Sequence, residues 1–244
     1  MTHWKLPPCL KSSILVHRET LPPIRNLKDE MYLAIEGVIG VGKTSLARLL
    51  QPAFNSELLL EVFDENPFLG DFYADRDRFA FQTQIFFLLS RYRQQREAVP
   101  EALTKGNLIA DYTFEKDSLF AQLNLSDDEL DTYTLVHEAL AERIHTPDLI
   151  VYLKVDTDTA MQRIMMRDRS YERNMDRYYI HALNETYEAF FGSSSGDPVL
   201  TIDTTPLDFV AHKPHLNHII NRINSALGIP PYQPELPLEE GSNS

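Results

Sequence analysis

The chain has 244 residues, 36 of them acidic against 23 Lys plus Arg, for a formal net charge of −13, and 43% of its residues are apolar. That apolar share supports a globular core and excludes a wholly disordered chain, and the acidic balance argues against a sequence-independent grip on nucleic acid or an anionic membrane, both of which need clustered positive charge. Any anionic ligand must be held by a local group of donors and cations, so where the cations sit decides what can bind.

The length suits one domain. Cys9 is the single cysteine, so neither an internal disulfide nor a Cys-based zinc site can form, as in a reducing compartment. No run approaches the roughly 18 apolar residues of a membrane span, and the N-terminus lacks a signal-type apolar core. The expectation is a soluble cytoplasmic protein.

Residues 1–30 carry Pro7, Pro8, Pro22 and Pro23 with mixed charge and no sustained period. They read as an N-terminal extension, disordered or dispensable, with Met31 as a functional start; Glu19 and poor amphipathicity argue against a transit peptide. A continuously apolar strand over 31–36 then runs into Gly37, Val38, Ile39, Gly40, Val41, Gly42, Lys43 and Thr44, followed by Ser45 and a helical pattern over 43–51. This satisfies G-x-x-x-x-G-K-[ST] in its strand-to-helix context. Successive backbone N–H groups can face one anion, Lys43 neutralises phosphate, and the Thr44 hydroxyl reaches Mg²⁺. Three of the chain's nine glycines fall in the six residues from Gly37 to Gly42.

The next strand, 58–62, carries Glu61 near its carboxyl end, read either as a solvated turn or as a carboxylate that accepts the proton of a substrate hydroxyl. A helical stretch over 76–98 includes an aromatic run, Phe79 to Leu89, interrupted by Gln82, Thr83 and Gln84. An amide in such a wall can pair with a nucleobase edge, or it can lie on a wet edge of the core. Strand 107–111 ends in Asp111, the Walker-B arrangement that puts a carboxylate near a metal, with a helix cap as the alternative.

Helix 127–144, strand 149–154 and helix 157–167 follow. Arg163, Arg167, Arg169, Arg173 and Arg177 place five of the 23 cations in fifteen residues. They read as a solvent-facing charged stretch or as a mobile arginine lid closing on a triphosphate. A helix over 176–191, a strand over 198–202 and a helix over 207–226 complete the domain, and residues 229–244, with four prolines and three glutamates, read as a disordered acidic tail. Apolar strands alternating with helices make an α/β fold, an open five-stranded parallel sheet with helices on both faces and ligands at the carboxyl ends of the strands. No N-K-x-D guanine-reading motif occurs, which favours a small-molecule kinase over a GTPase.

Together these residues make the chain resemble the deoxynucleoside kinase family, from about Met31 to Gly228. The matching elements are Glu36-Gly37 through Thr44, Leu60-Glu61-Val62, Glu65 to Leu69 with Phe72-Tyr73, Phe81-Gln82-Thr83, Asp111, Arg163 to Arg169 with Glu172, and Leu207-Asp208-Phe209. The bacterial purine-preferring members look most similar. The resemblance implies a P-loop kinase fold and an ATP-dependent 5′-kinase acting on a deoxynucleoside, with purines preferred, in nucleotide salvage. Glu61 would activate the 5′-hydroxyl, Thr44 and Asp111 would organise Mg²⁺, and Gln82 would bind the base. Tyr73 and Glu172 would hold the 3′-hydroxyl, Arg163, Arg167 and Arg169 would form the lid, and Asp117 would tune base choice. Residues 203–208 would border the donor adenine, and the protein would be a homodimer with no nucleic-acid or membrane partner.

Two departures stand out. Many relatives follow the Asp111 acid with Arg and Ser, whereas this chain has Tyr112-Thr113, so a cation that could support the base or the phosphates is missing. The arginine some relatives carry seven residues after the base-reading Gln is Leu89 here, with Arg91 two further on, which leaves base choice open. A thymidylate-like monophosphate kinase and a non-catalytic nucleotide-binding subunit of the same fold are the alternatives. Against the first, the cations gather at the donor end and the acids Glu61, Asp111, Asp117 and Glu172 at the acceptor end. Against the second, Lys43 and Glu61 are both present.

Overall fold

The computed structural model describes residues 30–192 and 198–229, so the expectations for the N-terminal extension and the acidic tail fall on residues outside the described ones. Five strands form the sheet: β1 (Tyr32–Glu36), β2 (Ser56–Leu59), β3 (Asn107–Ala110), β4 (Leu149–Lys154) and β5 (Val199–Asp203). They run in the order β2-β3-β1-β4-β5, every pair parallel, with Leu33 in register with both Ile109 and Leu149. All five residues of β1 are buried, as the central strand of a sheet covered on both faces requires. Successive residues of a strand point to opposite faces. Accordingly, Leu108 and Ala110 of β3 join a cluster with Val99, while Ile109 points into the larger cluster that contains Leu46 and Leu50.

The helices are α1 (Lys43–Phe54), α2 (Leu69–Ala74), α3 (Arg76–Leu103), α4 (Lys116–Asn124), α5 (Asp127–Ala141), α6 (Thr157–Arg167), α7 (Arg177–Gly192) and α8 (Lys213–Ala226), with short 3₁₀ turns at Phe63–Glu65 and Ser170–Glu172. Local chemistry sets several ends. The Asp156 carboxylate caps α6 by accepting from the Thr159 amide at 2.8 Å. At the other end Asp168 closes α6 in the left-handed region at φ 49°, a conformation that Asp tolerates better than most residues.

Boundaries differ from the sequence expectation where tertiary packing overrides local pattern. The strand expected over 58–62 ends at Leu59, so Glu61 lies on the loop beyond it. The helix expected from 207 begins at Lys213, where Pro214 occupies the first turn, and residues 207–210 form a loop instead. α1 continues past Pro52 to the buried Phe54. The short α2 and α4 have too few turns to show a period and were not expected.

Charged side chains are almost never fully buried without partners. Here Glu36, Arg91, Asp111, Lys116, Asp117 and Glu172 are all buried. Glu36 ends β1, Asp111 directly follows β3, and Lys116 and Asp117 open α4. The buried charge is thus concentrated at the carboxyl end of the sheet, where an open α/β fold places its ligand.

Candidate active site

A cavity of about 800 Å³ opens at that end, floored by the loop from Ile39 to Ser45 and walled by α3, α4, the Arg163–Glu172 segment and residues 205–210. The loop's shape depends on missing side chains. Gly37 sits at φ +145°, where a Cβ would come within 2.5 Å of the Leu153 carbonyl oxygen, and Gly40 at φ +87°, where it would come within 2.6 Å of that of Ala160. Gly37 and Val38 lie beneath the cavity floor, but their carbonyls accept from Lys43 Nζ at 2.6 and 3.2 Å. α1 has no acidic residue in its first turn, so its positive dipole end stays available to an anion. Burial pulls the Lys43 ammonium down to about 8, and Lys116 pushes in the same direction.

Thr44 Oγ1 donates to Asp111 Oδ2 at 2.5 Å, and Asp111 Oδ1 accepts from the Glu61 amide at 2.7 Å. A hydroxyl and a carboxylate are hard oxygen donors that fit Mg²⁺. Among the described residues no cluster of three His, Cys, Asp or Glu could hold a metal by itself, so the pair suits an ion that completes its shell with water and nucleotide phosphates.

Glu61 is held from both sides. Its Oε1 accepts from Arg91 and its Oε2 from Lys116 Nζ at 2.5 Å. Burial alone would raise its pKa, but the Lys116 and Arg91 charges outweigh burial and hold it far below the ordinary carboxylate range. The preceding Leu60 carbonyl accepts from Gln94, which in turn accepts from Tyr112 at 2.6 Å. Behind the loop, fully buried Glu36 accepts from the amide and hydroxyl of Thr113, from the Gly37 amide and from Tyr187.

The amide expected to face a base needs correction. Gln82 is exposed on α3 and does not line the cavity, whereas Gln84 is buried and does. Two residues along a helix rotate a side chain by about 200°, so only one of the two can face inward. Counted from Gln84, the arginine seven residues on is Arg91, which also lines the cavity; Leu89 is half exposed. Asp117 likewise does not reach the cavity: it is fully buried behind Arg91 and ion-pairs with it, while the guanidinium lies 4.4 Å over the Phe87 ring.

Tyr73 and Glu172 both line the cavity, and Tyr73 stacks on Tyr171 at 6.0 Å. The arginines separate into three roles. Arg163 is tied to the Val41, Thr204 and Leu207 carbonyls and the Thr204 hydroxyl at 3.0 to 3.4 Å, strapping α6 to the loop and to the 204–207 segment. Arg167 forks onto Glu172, and Arg169 lies 3.8 Å over Phe63 with Glu172 at 3.6 Å. Arg173 and Arg177 pair at the surface with Asp168 and Asp158 and do not reach the cavity. Of residues 203–208, Thr205 to Asp208 line the cavity.

The expected division into a cationic donor end and an acidic acceptor end does not hold. Glu61 pairs with Arg91 and Lys116, Asp117 with Arg91, and Glu172 with Arg167, so three of the four acids are paired with cations, while Asp111 holds the Thr44 hydroxyl and the Glu61 amide. The sequence reading named Gln84 only as one amide of the aromatic run and gave the base to Gln82, missed Lys116, and left Arg91 without a place. The seven-residue spacing from Gln84 to Arg91 was a usable signal; nothing in the sequence marked Lys116.

Comparison with known proteins gives the same direction. A sequence profile described as deoxynucleoside kinase matches residues 33–228. The chain is 34% identical to a deoxyguanosine kinase of Bacillus subtilis over 201 residues, covering 80% of this chain and 97% of that one. It is 35% identical to a deoxyadenosine kinase of Dictyostelium discoideum over 164 residues, covering 65% and 66%. Among solved structures, a deoxyadenosine kinase from M. mycoides with products dCMP and a flexible dCDP bound superposes with a TM-score of 0.71 at 29% identity, covering 80% of this chain and all of that one. With the phosphate loop, the buried carboxylates and the arginine segment assembled on one parallel sheet, the chain belongs to the deoxynucleoside kinase family.

Proposed function

We propose that this deoxynucleoside kinase transfers the γ-phosphate of Mg·ATP to the 5′-hydroxyl of a deoxynucleoside, purines preferred, as a homodimer in the cytoplasm. The observation that carries the reading is one cavity holding the Lys43 loop, the Thr44–Asp111 pair and an ionised Glu61. Phosphoryl transfer asks a protein chiefly for positioning and charge stabilisation. Lys43 and the loop amides hold the phosphates, and residues 205–208 border the donor base. Glu61 accepts the hydrogen bond of the 5′-hydroxyl, orients its oxygen in line with the γ-phosphorus and takes its proton as the new bond forms. Thr44 and Asp111 would hold Mg²⁺, which would supply charge neutralisation at the phosphates. Tyr73 and Glu172 receive the 3′-hydroxyl, and Arg167 and Arg169 close toward the triphosphate while Arg163 braces the loop. The ATP-binding stretch runs from Gly37 to Ser45.

The base lies against Gln84 and Arg91, with Asp117 setting the direction of the guanidinium. Gln84→Ala is expected to raise KM for the deoxynucleoside by about 10-fold or more, the scale of one bidentate base contact. Gln82→Ala is expected to leave it unchanged. Steady-state kinetics on the two variants check the pair, and the reverse ranking would return the base to Gln82. Purine preference is supported by relatives named deoxyguanosine and deoxyadenosine kinases.

A monophosphate kinase would need an uncompensated cation for the acceptor phosphate, and among the described residues each acceptor-end cation already pairs with a carboxylate. Incubation with Mg·ATP and each of the four deoxynucleosides and dTMP tests the function. Turnover of deoxyguanosine or deoxyadenosine is expected. Turnover of dTMP alone would move the assignment to a monophosphate kinase, and no turnover of any acceptor would favour a binding subunit.

A further inference from the structure

We propose that Lys116 is a positioning residue for the transfer, its ammonium fixing the Glu61 carboxylate against the acceptor hydroxyl in place of the cation that Tyr112 does not supply. The inference rests on the reading of Glu61 as the group that receives that hydroxyl.

Glu61 needs a tether because it stands two residues beyond the end of β2, on a loop. Its backbone is fastened by the Asp111 carboxylate and, through Leu60, by Gln94, but neither contact orients the carboxylate. That task falls to two cations, one on each oxygen. They are not equivalent. Arg91 is also paired with Asp117 and lies over Phe87, so its place does not depend on Glu61. Among the described residues, Lys116 has Glu61 as its one hydrogen-bonded and ion-paired partner, with its ammonium 5.6 Å above the Phe120 ring.

Lys116 is also costly to keep. It is the first residue of α4, where the helix dipole disfavours a cation. It is buried, and its charge acts on Lys43 and on Glu36 as well as on Glu61. A buried ion pair by itself is weak evidence of stabilisation. A lysine kept there, at the base of the cavity and touching the carboxylate that receives the hydroxyl, is explained by what it does for that carboxylate. Tyr112 cannot do the same, because it is fully buried in the cluster around Val99 and its hydroxyl is turned to Gln94.

The test is a double-mutant cycle on the full chain. Lys116→Met is expected to lower kcat by about 10- to 100-fold, the scale of misplacing a reacting group, with KM for both substrates nearly unchanged. Lys116→Arg should recover most of the rate. In a Glu61→Gln background Lys116→Met should add almost nothing. Lys116→Cys, made with Cys9→Ser and treated with 2-bromoethylamine, restores an amine at the same reach and should regain activity; this arm reads the role even where Lys116→Met does not fold. A folded Lys116→Met with wild-type kcat overturns the proposal, as does an equal loss in the two backgrounds or a failure of aminoethylation to restore rate. If Glu61→Gln loses its rate while Lys116→Met keeps wild-type kcat, this inference alone falls; if Glu61→Gln keeps wild-type rate, the reading beneath it falls too.

Discussion

Glu61→Gln is expected to lower kcat by about 10²-fold or more while leaving KM for both substrates close to wild type, as loss of a general base does. Glutamine keeps the size and an acceptor oxygen, so the hydroxyl can still be bound. It cannot take the proton, and it removes the one negative charge between Arg91 and Lys116. Arg91 keeps Asp117, but Lys116 is left buried with no ion-pair partner among the described residues, so the variant should also melt at a lower temperature than wild type. Steady-state kinetics at saturating substrates together with a thermal melt separate the effects: a rate that falls only as far as the folded fraction does would place the base elsewhere. The low pKa of Glu61 adds a pH expectation. Its carboxylate is charged throughout the neutral range, so acidification should produce no loss of rate from Glu61 until well below the usual carboxylate pKa of about 4.3.

Lys43→Met is expected to reduce kcat/KM for ATP by about 10²- to 10³-fold, the scale of removing one preorganised electrostatic contact from a transition state. The ammonium is half-buried, held on the Gly37 and Val38 carbonyls, and its residue lines the cavity. In the wild type its pKa of about 8 gives a sign. Below that pH the amine is charged and binds phosphate; as pH rises through it, the charge is lost and KM for ATP should climb. A bound triphosphate favours the charged form, so the climb belongs to the free enzyme and should vanish in Lys43→Met. An ATP KM that is flat with pH in wild type would show that Lys43 stays protonated.

Lid position is a second point where the structure adds to the sequence. Arg167 is forked onto Glu172, and Arg169 lies over Phe63 with Glu172 beside it. Closing them over a nucleotide therefore means exchanging contacts with Glu172, the same carboxylate assigned to the 3′-hydroxyl. Arg163, by contrast, already bonds the loop and has no such exchange to make.

What could be read from the sequence is what depends on local backbone and burial. The loop from Gly37 to Thr44 was legible because close backbone approach can be met only by glycines at fixed spacing. The strands were legible because burial on both faces leaves a continuous apolar run, and Asp111 because it ends one. The parallel sheet followed from strand and helix alternation.

What only the tertiary structure decided is which side of an element faces the cavity, and which distant charges meet. Gln82 and Gln84 share one aromatic run, and the packing of α3 against β2, β3 and α4 turns Gln84 inward. Asp117, expected from the resemblance to tune base choice, lies behind the cavity wall as the ion-pair partner of Arg91. Lys116 and Glu61 lie 55 positions apart, and nothing local in either segment requires the other. Composition alone placed a surplus of acid in the chain. Folding gave the site's acids either cations or hydrogen-bond donors as partners, because a charge taken out of water needs an opposite charge or donors to replace it.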